Sequence, residues 1–248
     1  MKVLICGKGG CGKSTIATLL SKEMAERSNK VLVIDSDESN IGLHHRLGMA
    51  KPKDFMNYFG GKKILFEKAK QITNKWRLDD LPKEYISKKG NIWLLSMGKI
   101  YEFGEGCACP INALSSKTLE VLDLEDNQFL IADTDAGIEH FGRGVENGVD
   151  LLVVIIDPSR DSILLAQKIS NLGKQVRKPT YFVLNRVTRE TEKLLLGSVD
   201  KEKVIAIIYE NKDIFMSCLS GNELTISLEG IKKIADRIES ERRKAMIK

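Results

Sequence analysis

The sequence predicts an α/β fold, in which a mostly parallel twisted sheet of about seven or eight strands carries helices on both faces. Two observations lead to this prediction. Short apolar runs rich in β-branched residues alternate with segments of helical periodicity, the pattern of parallel strands joined by helical crossovers. A glycine-rich stretch also lies directly between the first apolar run and the first helical segment. The chain of 248 residues is long enough to bury one large core, and we expect residues 1–248 to form a single domain.

The predicted strands and helices follow one another from the N-terminus. The apolar runs predict strands at residues 3–6, 31–35, 92–95, 129–133, 151–156, 181–185 and 204–208. Helical periodicity predicts helices near residues 14–28, 112–122, 162–172, 188–196 and 226–243. The last helix places Ile231, Ile234, Ala235 and Ile238 on one stripe, as expected for a helix that packs on a sheet.

Residues 50–90 depart from this alternation. They contain many lysines and few runs that resemble a buried core. We therefore expect an inserted, lysine-rich helical lobe between the second and third predicted strands. Its lysines are expected to form a solvated face, and no function is assigned to it.

Composition argues against several classes of protein. The net charge of +5 is spread along the chain, which does not favour a nucleic acid or an anionic membrane as partner. The longest apolar run, residues 151–156, is too short to cross a bilayer, and no signal-peptide pattern is visible. Five cysteines at uneven spacing favour reduced thiols or metal ligands over a disulfide framework. We expect a cytoplasmic protein.

The glycine-rich stretch has the form G-x-x-x-x-G-K-[ST], together with the strand–loop–helix context that this motif needs to bind phosphate. Glycines let backbone N–H groups surround an anion, and the following helix presents its positive end to it. Lys13 is expected to reach the β- and γ-phosphates of ATP, and the Ser14 hydroxyl to bind Mg²⁺. The predicted nucleotide-binding residues of this loop are Gly7, Lys8, Gly9, Gly10, Cys11, Gly12, Lys13, Ser14 and Thr15.

Lys8 lies inside the loop, where the ordinary motif requires no cation. The loop backbone separates it from its own nucleotide, so it could reach phosphates held by a second copy of the chain. The sequence K-G-G-x-G-K-[ST] resembles the deviant phosphate loop of the MinD/ParA-type ATPases. This resemblance implies that ATP holds two subunits face to face, with Lys8 on the partner's nucleotide and with Lys8 and Lys13 both serving catalysis.

Acidic residues end two of the predicted strands. Asp35 and Asp37 close the second strand, and Asp133 closes the fourth. Ligands of open α/β sheets bind at this edge, where carboxylates can hold Mg²⁺ or orient an attacking water. The family resemblance implies that Asp37 positions the water and that Asp133 is the magnesium-linked carboxylate, so magnesium would involve Ser14, Asp37 and Asp133. The role of Asp135 stays open.

Asn185 and Arg186 end the sixth predicted strand and resemble the N-[KR] adenine site of the same family. An asparagine amide offers both a donor and an acceptor to the edge of a base. Asparagine at a strand end is also a common turn residue. We predict that this pair contributes to binding the nucleotide.

Cys107 and Cys109 form a C-x-C-P sequence just before the helix expected near residue 112. A nearby helix N-terminus favours the thiolate form that binds metals. Soft metals usually take four ligands, and a two-fold dimer could supply the second pair. By itself the C-x-C pattern is weak evidence for a metal.

Residues 133–144 resemble the A-G-I-E-H-hydrophobic-x-R-G stretch of the CooC-type accessory ATPases, which serve nickel insertion into carbon monoxide dehydrogenase and related acetyl-CoA synthase enzymes. The C-A-C-P sequence and Asp157-Pro158-Ser159 add to this resemblance. It implies a homodimer that binds Ni²⁺ through Cys107 and Cys109 of both subunits, a site that also suits Zn²⁺. ATP hydrolysis would then be coupled to delivery of nickel to such a client enzyme. The identity of the client and the role of His140 stay open.

Two other functions fit parts of the same pattern. Four thiolates on a two-fold axis could hold a [4Fe–4S] cluster, which would make the protein an iron–sulfur carrier, although ligands this close in sequence suit a single ion better. A positioning ATPase would need a basic patch or an amphipathic tail. Residues 242–248 have too little apolar surface for stable anchoring to a membrane.

Overall fold

The structure is a computed structural model that describes residues 1–101, 108–135 and 148–247. Within these residues one sheet of eight strands carries helices on both faces, so the predicted fold class is confirmed.

The strands are β1 (Lys2–Gly7), β2 (Lys30–Asp35), β3 (Ile86–Lys89), β4 (Ile92–Ser96), β5 (Gln128–Asp133), β6 (Leu151–Ile156), β7 (Thr180–Val187) and β8 (Val204–Tyr209). The α-helices are α1 (Lys13–Glu26), α2 (Leu43–Leu47), α3 (Lys62–Lys70), α4 (Cys109–Val121), α5 (Arg160–Gln175), α6 (Arg189–Ser198), α7 (Lys212–Leu219) and α8 (Glu229–Ile247). Short 3₁₀ helices span Phe55–Phe59, Leu78–Asp80, Lys83–Tyr85 and Lys201–Lys203.

The order of the strands places β1 in the middle of the sheet. The order is β3-β4-β2-β5-β1-β6-β7-β8, and every neighbouring pair is parallel except β3 with β4. In this register Ile5 lies between Asp133 of β5 and Val153 of β6. Strands β2 to β5 therefore lie on one side of β1, and β6 to β8 lie on the other. The carboxyl ends of β1, β2 and β5 are neighbours at the edge of the sheet where ligands bind in such folds.

Two apolar layers enclose the sheet. Val3 and Ile5 of β1 pack in the layer formed with α1, α2 and α8, whereas Leu4 and Cys6 pack in the layer formed with α4, α5 and α6. Because both faces are buried, the central strands are continuous apolar runs, as parallel sheets require. Each fully buried aliphatic side chain contributes about 1.5–3 kcal/mol to the free energy of unfolding.

The segment 50–90 differs from the prediction of a helical lobe. It contains α3 and short 3₁₀ helices, but it also supplies β3, which pairs with β4 as an antiparallel edge strand. Phe55, Phe59 and Tyr85 are buried in the main core and contact one another or Trp76 through their rings. The sequence shows few core-like runs here because these buried aromatic side chains are scattered among exposed lysines and form no contiguous run.

Candidate functional site

The glycine-rich loop connects β1 to α1 at the carboxyl edge of the sheet. Gly7 and Gly12 both have positive φ values, of 146° and 102°. A Cβ atom on Gly7 would lie 2.5 Å from the carbonyl oxygen of Ile155, and one on Gly12 would collide with the amide nitrogen of Asn185. The loop therefore packs so closely against β6 and β7 that only glycine fits at these two positions.

The N-terminus of α1 faces this loop without a cap from its own sequence. Gly12 occupies the cap position and has no side chain to cap the helix, and the first turn contains no acidic residue. The N–H groups of the first turn and the helix dipole thus favour an anion at this point. Lys13 is buried, and its Nζ donates to the carbonyl oxygen of Lys8 at 3.2 Å, which places the ammonium group over the loop.

Ser14 and Asp133 lie together next to the loop. The Nδ2 of Asn40 donates to Ser14 Oγ at 2.8 Å and to Asp133 Oδ2 at 3.4 Å. Asp133 is fully buried, and its Oδ1 has no hydrogen-bond partner among the described residues. Burial raises the pKa of Asp133 to about 6, although a hydrogen bond with Ser14 opposes the shift. A hydroxyl and an orphaned carboxylate oxygen are hard ligands that fit Mg²⁺. Sequence reasoning missed Asn40, which carries no motif signal.

Asp37 lies in the loop that follows β2. Its Oδ1 accepts from the backbone N–H of Ser39 at 2.9 Å, from the Ser39 hydroxyl at 2.6 Å and from the backbone N–H of Asn40 at 3.1 Å. The carboxylate therefore orders residues 37–40 beside Ser14 and Asp133. Its expected role in orienting water remains a prediction.

Asp35, the last residue of β2, is paired with a lysine that sequence reasoning also missed. Lys99 Nζ lies 2.7 Å from Asp35 Oδ2, and both side chains are almost fully buried. Burial raises the pKa of Asp35 to about 7, although the Lys99 ammonium group lowers it.

Lys8 points towards α5. Its Nζ donates to the Ser159 hydroxyl at 3.3 Å and lies 4.0 Å from a carboxylate oxygen of the exposed Asp161. The side chain of Lys8 is 37% exposed, so it lies partly at the surface of the subunit. This geometry is compatible with the expected reach towards a second copy.

Asn185 and Arg186 bind the backbone of the phosphate loop. Asn185 Nδ2 donates to the Cys11 carbonyl oxygen at 2.8 Å, and an Arg186 guanidinium nitrogen donates to the Gly10 carbonyl oxygen at the same distance. Both residues also line a cavity of about 500 Å³ beside the loop. The opposite wall comes from the end of β8 and from α7. It includes Tyr209, Glu210, Ile214, Phe215 and Cys218.

Comparison with models of known protein families shows which family this chain belongs to. The profile described as the CobQ/CobB/MinD/ParA nucleotide binding domain matches residues 2–224. The chain belongs to this family. It is an ATP-binding, MinD/ParA-like P-loop protein, and the loop between β1 and α1 stands where a nucleotide-binding domain of this kind requires it.

Relatives of this CobQ/CobB/MinD/ParA-type domain support the assignment. An uncharacterized ATP-binding protein of Methanocaldococcus jannaschii is 50% identical over 95% of this chain and 98% of its own length. The carbon monoxide dehydrogenase accessory protein CooC of Rhodospirillum rubrum is 34% identical over 71% of this chain and 70% of its own length. The septum site-determining protein MinD of Pyrococcus horikoshii, solved with Mg-ADP, shares the fold with a TM-score of 0.69 at 18% identity, over 96% of this chain and 95% of that one.

The cysteine pair of this MinD/ParA-like protein is described only in part. Cys107 lies outside the described residues, as does His140. Cys109 is exposed and is the first residue of α4, so the helix begins there and not near residue 112 as expected. Pro110 explains the earlier start, because proline is favoured in the first turn of a helix. Within residues 1–101, 108–135 and 148–247, no cluster of three or more metal-binding side chains is present.

The helices do not indicate a membrane span. Among the described residues, none combines the length and apolar character needed to cross a bilayer.

Proposed function

We propose that this protein is an ATP-dependent, dimerising accessory ATPase that binds nickel and delivers it to a metallocentre of the carbon monoxide dehydrogenase or acetyl-CoA synthase type. The observation that carries the proposal is the exposed thiol of Cys109 at the start of α4. Because α4 begins after β4, this thiol lies at the same edge of the sheet as the phosphate loop. The 34% identity to a carbon monoxide dehydrogenase accessory protein supports the choice of client.

The nucleotide half of the proposal assigns each described residue a task. Loop residues 7–15 and the N-terminus of α1 surround the phosphates, and Lys13 neutralises the β- and γ-phosphates. Ser14 and Asp133 hold Mg²⁺, which would offset the negative charge that develops on the phosphates, and Asp37 orients the attacking water. Asn185 and Arg186 bind the base side of the nucleotide, next to the 500 Å³ cavity.

The metal half of the proposal needs two copies of the chain. Lys8 of each subunit contacts the nucleotide of the other, and the resulting dimer gathers Cys107 and Cys109 from both subunits. Four thiolates form a tetrahedral site that suits Ni²⁺ or Zn²⁺ as cargo. ATP hydrolysis releases the dimer contacts and so allows the metal to pass to the client.

Nickel titration of the purified protein, with and without ATP, tests the proposal. We expect one Ni²⁺ per dimer in the wild type and no binding when Cys107→Ser and Cys109→Ser are combined. The matched control is Cys218→Ser, which removes a thiol that lines the base cavity and should leave nickel stoichiometry unchanged. Full nickel stoichiometry in the double cysteine variant would overturn the assignment of the site.

The same samples distinguish the competing functions. Iron in the metal analysis, together with a visible absorption band in protein purified without air, would favour an iron–sulfur carrier. ATP-dependent sedimentation with DNA or anionic liposomes would favour a positioning ATPase.

A further inference from the structure

Residues 97–101 run beside the loop that follows β2. The backbone N–H of Met97 donates to the Asp35 carbonyl oxygen at 2.9 Å, and the N–H of Ile100 donates to the Glu38 carbonyl oxygen at 3.3 Å. Between these two contacts lies Lys99, whose side chain is only 2% exposed. The segment that leaves β4 is therefore joined to the loop that carries Asp37.

The ammonium group of Lys99 adds a charged contact between residues 97–101 and the loop after β2. Its Nζ donates to the carbonyl oxygen of Asp37 at 2.5 Å and pairs with Asp35 Oδ2 at 2.7 Å. Removing an ammonium group from water is unfavourable, so a buried lysine is rare unless its partners compensate for the lost hydration. A purely structural contact at this position could be made by methionine or leucine. The charge instead binds the segment to two specific oxygen atoms of the neighbouring loop.

The other end of this loop meets the proposed magnesium site. Asn40 donates through its side chain to Ser14 and Asp133, and its backbone N–H donates to Asp37. The Asn40 amide donates to Ser14 Oγ, the hydroxyl oxygen that would hold Mg²⁺ together with the orphaned Asp133 Oδ1, so the ion would compete with Asn40 for that hydroxyl. A shift of Asn40 would alter the loop at Asp37, to whose carbonyl oxygen Lys99 is bonded.

The same segment lies against the cysteine-bearing helix, because a Cβ atom on Gly98 would be 3.4 Å from the side chain of Ile111, two residues after Cys109 in α4. The Tyr101 hydroxyl donates to the buried Asp54 at 3.0 Å, which anchors the end of the segment, and Cys109 opens α4 shortly afterwards along the chain. We propose that Lys99 is a positioning residue that couples the binding of ATP and Mg²⁺ to the environment of Cys109. The inference deepens the proposed function and rests on it, because it concerns how one part of that site senses the other.

Nucleotide-dependent labelling of Cys109 in nickel-free protein tests this coupling. A maleimide is added with and without Mg²⁺ and a non-hydrolysable ATP analogue, and the labelled peptide is identified by mass spectrometry. In the wild type the analogue should change the labelling rate at least about fivefold, in the range of ordinary allosteric coupling. In Lys99→Met the change should fall below about twofold. Binding of the analogue itself should persist, since Lys99 does not contact the phosphate loop.

Two further variants keep the test decisive. If Lys99→Met fails to fold because Asp35 is left buried without its partner, the double variant Asp35→Asn/Lys99→Met removes both charges and should show the same loss of response. Lys22→Met is the matched control: it removes another lysine ion pair, with Glu223, and should retain the wild-type response.

The outcomes separate the coupling from the proposed function. A wild type that binds no nickel but shows a nucleotide response that depends on Lys99 would refute nickel delivery and support the coupling. If the wild type binds nickel but the labelling rate of Cys109 is the same with and without nucleotide, the coupling alone is overturned. An undiminished change in labelling rate in a folded Lys99 variant would also overturn it.

Discussion

At the scale of single residues, burial determines the chemistry of the carboxylates at the site. Asp133 was expected from the sequence at the end of a strand, but its complete burial and its orphaned Oδ1 depend on the packing of α1 and of the Asn40 loop against β5. A buried carboxylate is more easily protonated than an exposed one, which explains the raised pKa of Asp133. The buried Asp133 carboxylate is available to bind a cation, but its burial lowers the free energy of unfolding when the group is ionised.

Because burial of the ionised Asp133 carboxylate lowers the free energy of unfolding, Asp133→Asn should change the stability of the protein in a pH-dependent way. The pKa is about 6 in the folded protein against 3.8 for the ordinary group. Between these values the folded state binds more protons than the unfolded state, so the contribution of Asp133 to the free energy of unfolding falls as pH rises. The substitution should therefore stabilise the protein by about 1–3 kcal/mol near pH 8, and the gain should shrink towards zero near pH 4.

Urea unfolding of the wild type and the variant across this pH range measures the difference. Asp123→Asn, at an exposed position, is the control and should show no such pH dependence. A constant difference between wild type and Asp133→Asn at all pH values would contradict the prediction.

At the scale of elements, the loop between β1 and α1 is shaped by contacts with β6 and β7. Gly12 combines a left-handed backbone conformation with close approach to Asn185, whose amide in turn binds the Cys11 carbonyl oxygen. The loop therefore depends on β7 for its shape, although it is continuous in sequence only with β1 and α1.

Gly12→Ala should accordingly abolish nucleotide binding. The added Cβ would collide with Asn185, and the strained backbone should reduce stability by about 1–3 kcal/mol. Titration with a fluorescent nucleotide and thermal unfolding measure the two effects. The matched control is Gly197→Ala on α6, where no atom lies near the added Cβ and alanine favours the helix by up to about 1 kcal/mol. Normal nucleotide affinity in Gly12→Ala would refute the packing argument.

At the scale of the whole molecule, the proposed activity requires association. The Lys8 ammonium group lies at the rim of the site, between its own loop and the start of α5, and is partly exposed. Asp37, by contrast, lies within the loop that adjoins Ser14 and Asp133. One residue is thus suited to act on a second subunit and the other on its own nucleotide.

These positions predict opposite effects of two substitutions on the dimer. Asp37→Ala should bind ATP but hydrolyse it at least about a hundredfold more slowly, so that ATP traps a dimer. Lys8→Ala should remain monomeric with ATP because the contact with the partner's nucleotide is lost. Light scattering during size-exclusion chromatography and a phosphate-release assay measure both. Normal turnover in Asp37→Ala would show that another residue positions the water.

The sequence by itself determined the fold class, seven of the eight described strands, the phosphate loop and the candidates Asp133, Asn185 and Arg186. Those features are encoded locally, in runs of consecutive residues whose periodicity or spacing has a physical meaning. The assignment of nickel to Cys107 and Cys109 stays a prediction, because Cys107 lies outside the described residues.

Only the tertiary structure decided which distant side chains complete the site. Lys99 pairs with Asp35, Asn40 joins Ser14 to Asp133, and α7 closes the cavity beside Asn185 and Arg186. The edge strand β3 and the aromatic cluster of residues 50–90 likewise became visible only in three dimensions. These partners come together because parallel strands and their crossovers bring separate parts of the chain to one edge of the sheet. Side chains that meet only across such distances have no pattern in the linear sequence.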